Sequence, residues 1–109
     1  MKRALQMTFR GMESSEALAE HIRDEAAKLE QFFEGIVGCH VVVEQPHHHK
    51  HQGNAFHVRV DLHVPGREIV VGREPAERGA SDAYVAVADA FDAARRQLQH
   101  YAEGLRAHR

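Results

Sequence analysis

The chain of 109 residues has a single cysteine, Cys39. One thiol forms no intrachain disulfide, so the fold must be held by its core, and the composition fits a reducing compartment. Cys39 is expected to be a small buried hydrophobe rather than a reactive thiol. No apolar run approaches the roughly 18 residues that a membrane span needs. Lys2 and Arg3 are followed by no long apolar segment, so no secretory signal is visible. The expected location is the cytoplasm, with no membrane partner. An excess of positive charge is missing too. The net charge is -2 with histidines neutral, which by itself is not the composition of a nucleic-acid-binding protein. There is no phosphate-cradling glycine loop, no nucleophile elbow and no H-E-x-x-H. The chain is read as a non-enzyme, with no cofactor, no small-molecule substrate and no DNA partner expected.

What is present describes an ordinary globular chain. Hydrophobic residues make up 43% and charged residues 28%, enough for one modest core and too apolar for disorder. A single domain over 1–109 is expected. Histidine is the unusual component. Full protonation of the ten histidines would carry the net charge from -2 to +8.

Periodicity orders the elements. In RALQMTFR, Leu5, Met7 and Phe9 alternate with Gln6, Thr8 and Arg10, the period of a half-buried strand. Ser14 or Ser15 then caps a helix whose stripe is Leu18, Ile22, Ala26, Leu29 and Phe33. Gly35 or Gly38 is expected to end it. GCHVVVEQP reads as a second strand with Cys39, Val41 and Val43 on one face and His40, Val42 and Glu44 on the other. In NAFHVRVDLHV, Phe56, Val58, Val60 and Leu62 face in, while His57, Arg59, Asp61 and His63 face out. Pro65-Gly66 suits the centre of a type II turn, and EIVVG is a fourth strand. REPAERGAS is read as a surface loop. Ser81 or Asp82 caps a last helix with the stripe Tyr84, Val87, Phe91, Ala94, Leu98, Tyr101 and Leu105. Tyr84 is expected to pack in the core. The predicted fold is α+β, in the order β-α-β-β-β-α: a four-stranded mixed sheet with both helices packed on one face and the other face open.

Several of these segments, taken together, resemble one family. SEALAEHIRDEAAKLEQFF, CHVVVE, VDLHVPGREIVV and SDAYVAVADAFDAARRQL are similar to the ribosome hibernation promoting factors and ribosome-associated inhibitors, also called the sigma-54 modulation proteins. The most specific pieces are AKLEQFF (27–33), LHVPG (62–66) and the D-x-Y-x-A entry to the last helix, with Asp82, Tyr84 and Ala86. The resemblance implies binding to ribosomal RNA in the small ribosomal subunit, in the space of messenger and transfer RNA, under stress. It implies contact through basic residues on both helices. Lys28 and Arg96 fall on such positions, with Arg95 beside Arg96 and His100 in place of a basic residue. Ala19, Glu25, Gly35, Ala93, Ala102 and Gly104 are not basic where the family usually is. The family's long forms add a C-terminal dimerisation domain; the resemblance puts this chain with the short forms.

Other residues have plainer readings. Arg95, Arg96, Arg106 and Arg109 could form a solvated helix face, with Asp92 and Arg96 paired at i,i+4. His40, His57, His63 and Asp61 lie on the open sheet face, where a metal site would need His40 with one of the other histidines and a carboxylate. His57 and His63 are about 20 Å apart along a strand and cannot share an ion; no metal site is expected. His47, His48, His49 and His51 fall in a segment read as a hairpin loop after Pro46. Such a loop could be merely polar, could answer to RNA or pH, or could bind Zn²⁺, Ni²⁺ or Cu²⁺ loosely. A histidine-rich metal-binding or sensing protein, or a protein-binding module on the same fold, is the alternative function.

Overall fold

The computed structural model describes residues 1–46, 55–72 and 81–107. The His47–His51 stretch, the 73–80 segment and Arg109 lie outside the described residues.

The element order is β1 (Gln6–Arg10), α1 (Glu16–Phe32), β2 (Gly38–Glu44), β3 (His57–Val64), β4 (Arg67–Val71) and α2 (Ala83–Ala107). The sheet order is β1-β2-β3-β4. β1 and β2 run parallel, joined through α1; the other neighbours are antiparallel. This is the α+β arrangement expected from periodicity.

The register carries the alternation of each strand across the sheet. Met7, Val41, Val60 and Val71 form one row, Phe9, Val43 and Val58 the next, and Cys39, Leu62 and Ile69 another. Their side chains share a cluster with the stripes of both helices, including Leu18, Ile22, Leu29, Val87, Phe91 and Leu98. A slip of one residue between strands would turn an apolar row to water, so the register is strongly specified. The opposite face carries Gln6, Thr8, Arg10, His40, Glu44, His57, Arg59, Asp61, His63 and Glu68, with no helix over it among the described residues.

Local chemistry explains the ends of the elements. Ser15, not Ser14, caps α1: its Oγ accepts a hydrogen bond from the Leu18 amide at 3.2 Å. Asp82 caps α2, its carboxylate accepting from the Tyr84 amide at 2.8 Å and the Val85 amide at 3.4 Å. α1 stops before either expected glycine. Phe33 leaves the helix in extended backbone while its amide still donates to Leu29, and its side chain stays half-buried against Tyr101, the ring centroids 5.8 Å apart. The apolar anchor, not a left-handed glycine, turns the chain there. Gly66 does supply the positive φ, 76°, that the third position of a type II turn needs. Gly72 has φ 73° and lies so close to β3 that a Cβ would meet the Val58 carbonyl oxygen.

α2 is longer than the sheet it covers. Tyr101 is still buried, and its hydroxyl donates to the Pro65 carbonyl at 2.7 Å, tying the helix to the β3–β4 turn. The two ends of its stripe overhang. Tyr84 is 43% exposed and Leu105 52% exposed, so the expected core role of Tyr84 is corrected: its ring tilts against His21 at 5.3 Å, outside the core.

Cys39 is buried, as expected. Burial first, and the Asp61 and Glu30 charges second, push its thiol up to about 12. Only the thiolate is a nucleophile, so iodoacetamide at pH 8 should leave the native protein unmodified and alkylate it fully once unfolded, as read by mass. Above about pH 8.5 the unfolded thiol ionises while the folded one keeps its proton. Stability from this group therefore falls as pH rises from there towards 12. Rapid alkylation of the native form would contradict the burial.

Candidate RNA-contact face on the helices

Among the described residues, two places on the surface carry clustered charge: the open sheet face and the solvent side of the helix pair.

On the sheet, most charges have a neighbour of their own, while the exposed Arg10 makes no ion pair among the described residues. Arg59 donates to both oxygens of Asp61, at 2.8 and 3.3 Å, and that carboxylate raises the guanidinium's hold on its proton. His40 hydrogen-bonds Thr8 through Nε2 at 2.8 Å. His63 Nε2 lies 3.2 Å from Glu68. His57 stands opposite Glu44 in the register, with its Nε2 buried and without a partner among the described residues. The histidines of the metal reading are thus drawn to different neighbours. No group of three metal-binding side chains converges among the described residues.

On the helices, α1 and α2 lie side by side. His21 of α1 touches Tyr84 of α2, and eleven residues further along both helices Phe32 touches Arg95. The helices are therefore parallel, and residues of equal advance face each other across the seam. α1 is acidic. Glu16, Glu20, Asp24, Glu25 and Glu30 stand against Arg23 and Lys28, and both cations are engaged. Arg23 is held by Glu16 and Glu20, which raise its proton affinity, Glu16 most. Lys28 reaches Glu25 at 3.3 Å, although its side chain is 72% exposed.

α2 differs. Arg95, Arg96, Arg106 and His100 are exposed, and none of them makes an ion pair among the described residues. The expected Asp92–Arg96 pair is not closed, although the spacing allows it. An exposed pair of this kind is worth only a few tenths of a kcal/mol, about the cost of ordering two long side chains.

Of the four residues named from sequence, two share the seam. Lys28 lies one turn before Phe32 on α1, and Arg95 lies over Phe32. Arg96 and His100 sit one turn apart on α2, about 100° and about 140° round from Arg95, and point away from the seam. The cations form a strip along the outer side of the helix pair rather than one compact patch. Phe32 was missed from sequence because it falls just off the apolar stripe. Its one signal was its place four residues after Lys28.

The geometry is that of a rigid, partly cationic helix layer with no convergent catalytic groups among the described residues. A ribosome hibernation promoting factor from Salmonella typhimurium is 34% identical over 105 residues, which cover 95% of this chain and 98% of that protein. The fold is shared with the N-terminal domain of Protein Y from Thermus thermophilus, at TM-score 0.69 and 18% identity over 88% of this chain and 94% of that one. It is shared also with a ribosomal subunit interface protein from Coxiella burnetii, at TM-score 0.70 and 21% identity over 91% and 97%. The family model described as sigma 54 modulation protein / S30EA ribosomal protein matches residues 5–106. The chain belongs to that family.

Proposed function

We propose that this protein is a ribosome hibernation factor that occupies the messenger and transfer RNA space of the small ribosomal subunit and silences it by steric occlusion. No chemistry is required of it. Holding a stable shape against a phosphate lattice is enough. The anchoring contacts are Arg95 and Arg96, with Lys28 across the seam and His100 adding a charge only when protonated. One observation carries this reading: Arg95 and Arg96 are exposed, rigidly mounted on a long helix and free of carboxylate partners among the described residues, in a chain of a ribosomal protein family. Cations already paired within the protein would have to break that pairing before binding. Free ones gain affinity directly by releasing the counterions that crowd RNA phosphates. A cytoplasmic location follows from the reading, and no helix among the described residues is long and apolar enough to cross a membrane.

The test is co-sedimentation with purified small ribosomal subunits at rising salt. Three or four phosphate contacts imply a slope of log K against log salt of roughly -2 to -4. Binding that is absent at low salt, or indifferent to salt, removes the reading.

A further inference from the structure

Phe32 is a large apolar side chain left 41% exposed on a helix whose other exposed residues are polar or alanine. Isolated surface hydrophobes are common, but this ring is not isolated. The Arg95 guanidinium carbon lies 5.3 Å from its centroid, across the seam from the other helix. That distance is within the range of a cation–π contact. Lys28 stands one turn back on the same helix. The ring and the guanidinium therefore make a short platform, with Lys28 on the turn before it, its ammonium 3.3 Å from Glu25.

RNA sites of this composition take a particular ligand. Unpaired bases stack on aromatic rings and on the planes of arginine guanidiniums, while the neighbouring phosphates are held by lysine and arginine. Duplex RNA offers no free base face and is held through its backbone alone. The Phe32 ring also holds the Arg95 side chain beside the seam before any ligand arrives, which lowers the ordering cost on binding. We infer that Phe32 and Arg95 together form a stacking site for one unpaired nucleobase of the bound RNA, with Lys28 beside it for the adjoining phosphate.

This rests on the ribosome reading above, and the test keeps the two apart. Affinity for purified small ribosomal subunits is measured across a salt series for the full chain, for Phe32→Leu and for Phe32→Tyr. Leucine keeps an apolar surface and removes the π face; tyrosine keeps the face. Loss of one stacked base weakens binding by roughly 5- to 150-fold. Phe32→Leu should show that loss at every salt concentration with the slope of the full chain, because no phosphate contact is removed. Phe32→Tyr should bind within about twofold of the original. A thermal melt checks that both variants remain folded. If the original chain binds and Phe32→Leu binds equally well, the stacking site is wrong and the ribosome reading stands. A Phe32→Leu loss that comes with a shallower slope also overturns it, since the ring would then act only by placing Arg95. If the original chain does not bind, both fall.

Discussion

Replacing Arg95 and Arg96 together by glutamate should weaken association with small ribosomal subunits by about 100-fold or more, with no loss of fold. Hydrogen bonds to charged groups are worth about 1.5–3 kcal/mol each. Removing two of them from the complex costs at least about 3 kcal/mol, and every 1.4 kcal/mol is tenfold in affinity. The reversal adds repulsion from the phosphates on top. Both side chains are exposed and touch no carboxylate among the described residues, so neither substitution strands a buried charge. Surface changes of this kind move stability by only about 0.5 kcal/mol. The salt slope should become shallower by the share of two phosphates, about 1.4–1.8. Lys28→Ala should cost less, because that ammonium already leans on Glu25. Equilibrium binding to purified subunits and a thermal melt check both halves. Affinity within threefold of the original would mean that α2 does not face the RNA.

The second large effect is on stability. Phe91→Ala should destabilise the fold by about 3–5 kcal/mol, a large part of the roughly 5–15 kcal/mol that holds a domain of this size together. Phe91 is 2% exposed and sits in the first half of α2, in the shared core. Deleting its ring leaves a void between the helix layer and a sheet that is itself rigidly registered, so the surroundings can collapse only in part. Val85 is the control. It lies on the same helix but is 48% exposed, and Val85→Ala should shift stability by no more than about 0.5 kcal/mol. Urea titration of the two variants distinguishes them. Similar midpoints would contradict the placement of the α2 stripe.

Most of the architecture was legible because each element repeats its pattern several times. Four strand segments, three of them valine-rich, and two stripes at helical spacing leave one sensible way to hide apolar surface: two helices over one side of a sheet. The ends were less legible. A stripe shows that residues share a side of a helix, not that anything covers them. Tyr84 and Leu105 continue the α2 stripe without error and still lie in water, because α2 runs past the sheet at both ends. In the same way, Gly35 and Gly38 had the right composition to stop α1, but the half-buried Phe33 stopped it first. Packing outranked propensity there.

The site was legible only as residue types. Lys28, Arg95, Arg96 and His100 were recognisable as positive or ionisable groups at family positions. Their spacing along the chain does not say which are already paired. Arg23 and Lys28 have carboxylates within reach on their own helix and use them. Asp92 has the favourable spacing to Arg96 and does not. Which of two near-equal options an exposed side chain takes is settled by a few tenths of a kcal/mol, well below what a spacing rule can resolve.

By itself, then, the order of residues determined the α+β class, the strand faces and the covered side of the sheet, since all of these follow from hydrophobic period and local turn chemistry; the family came from the likeness of whole segments, not from period. Tertiary structure alone decided that the two helices run parallel and that Phe32 meets Arg95 across their seam. Those meetings across the seam join residues more than sixty positions apart. They depend on how the chain closes on itself, which no local period encodes.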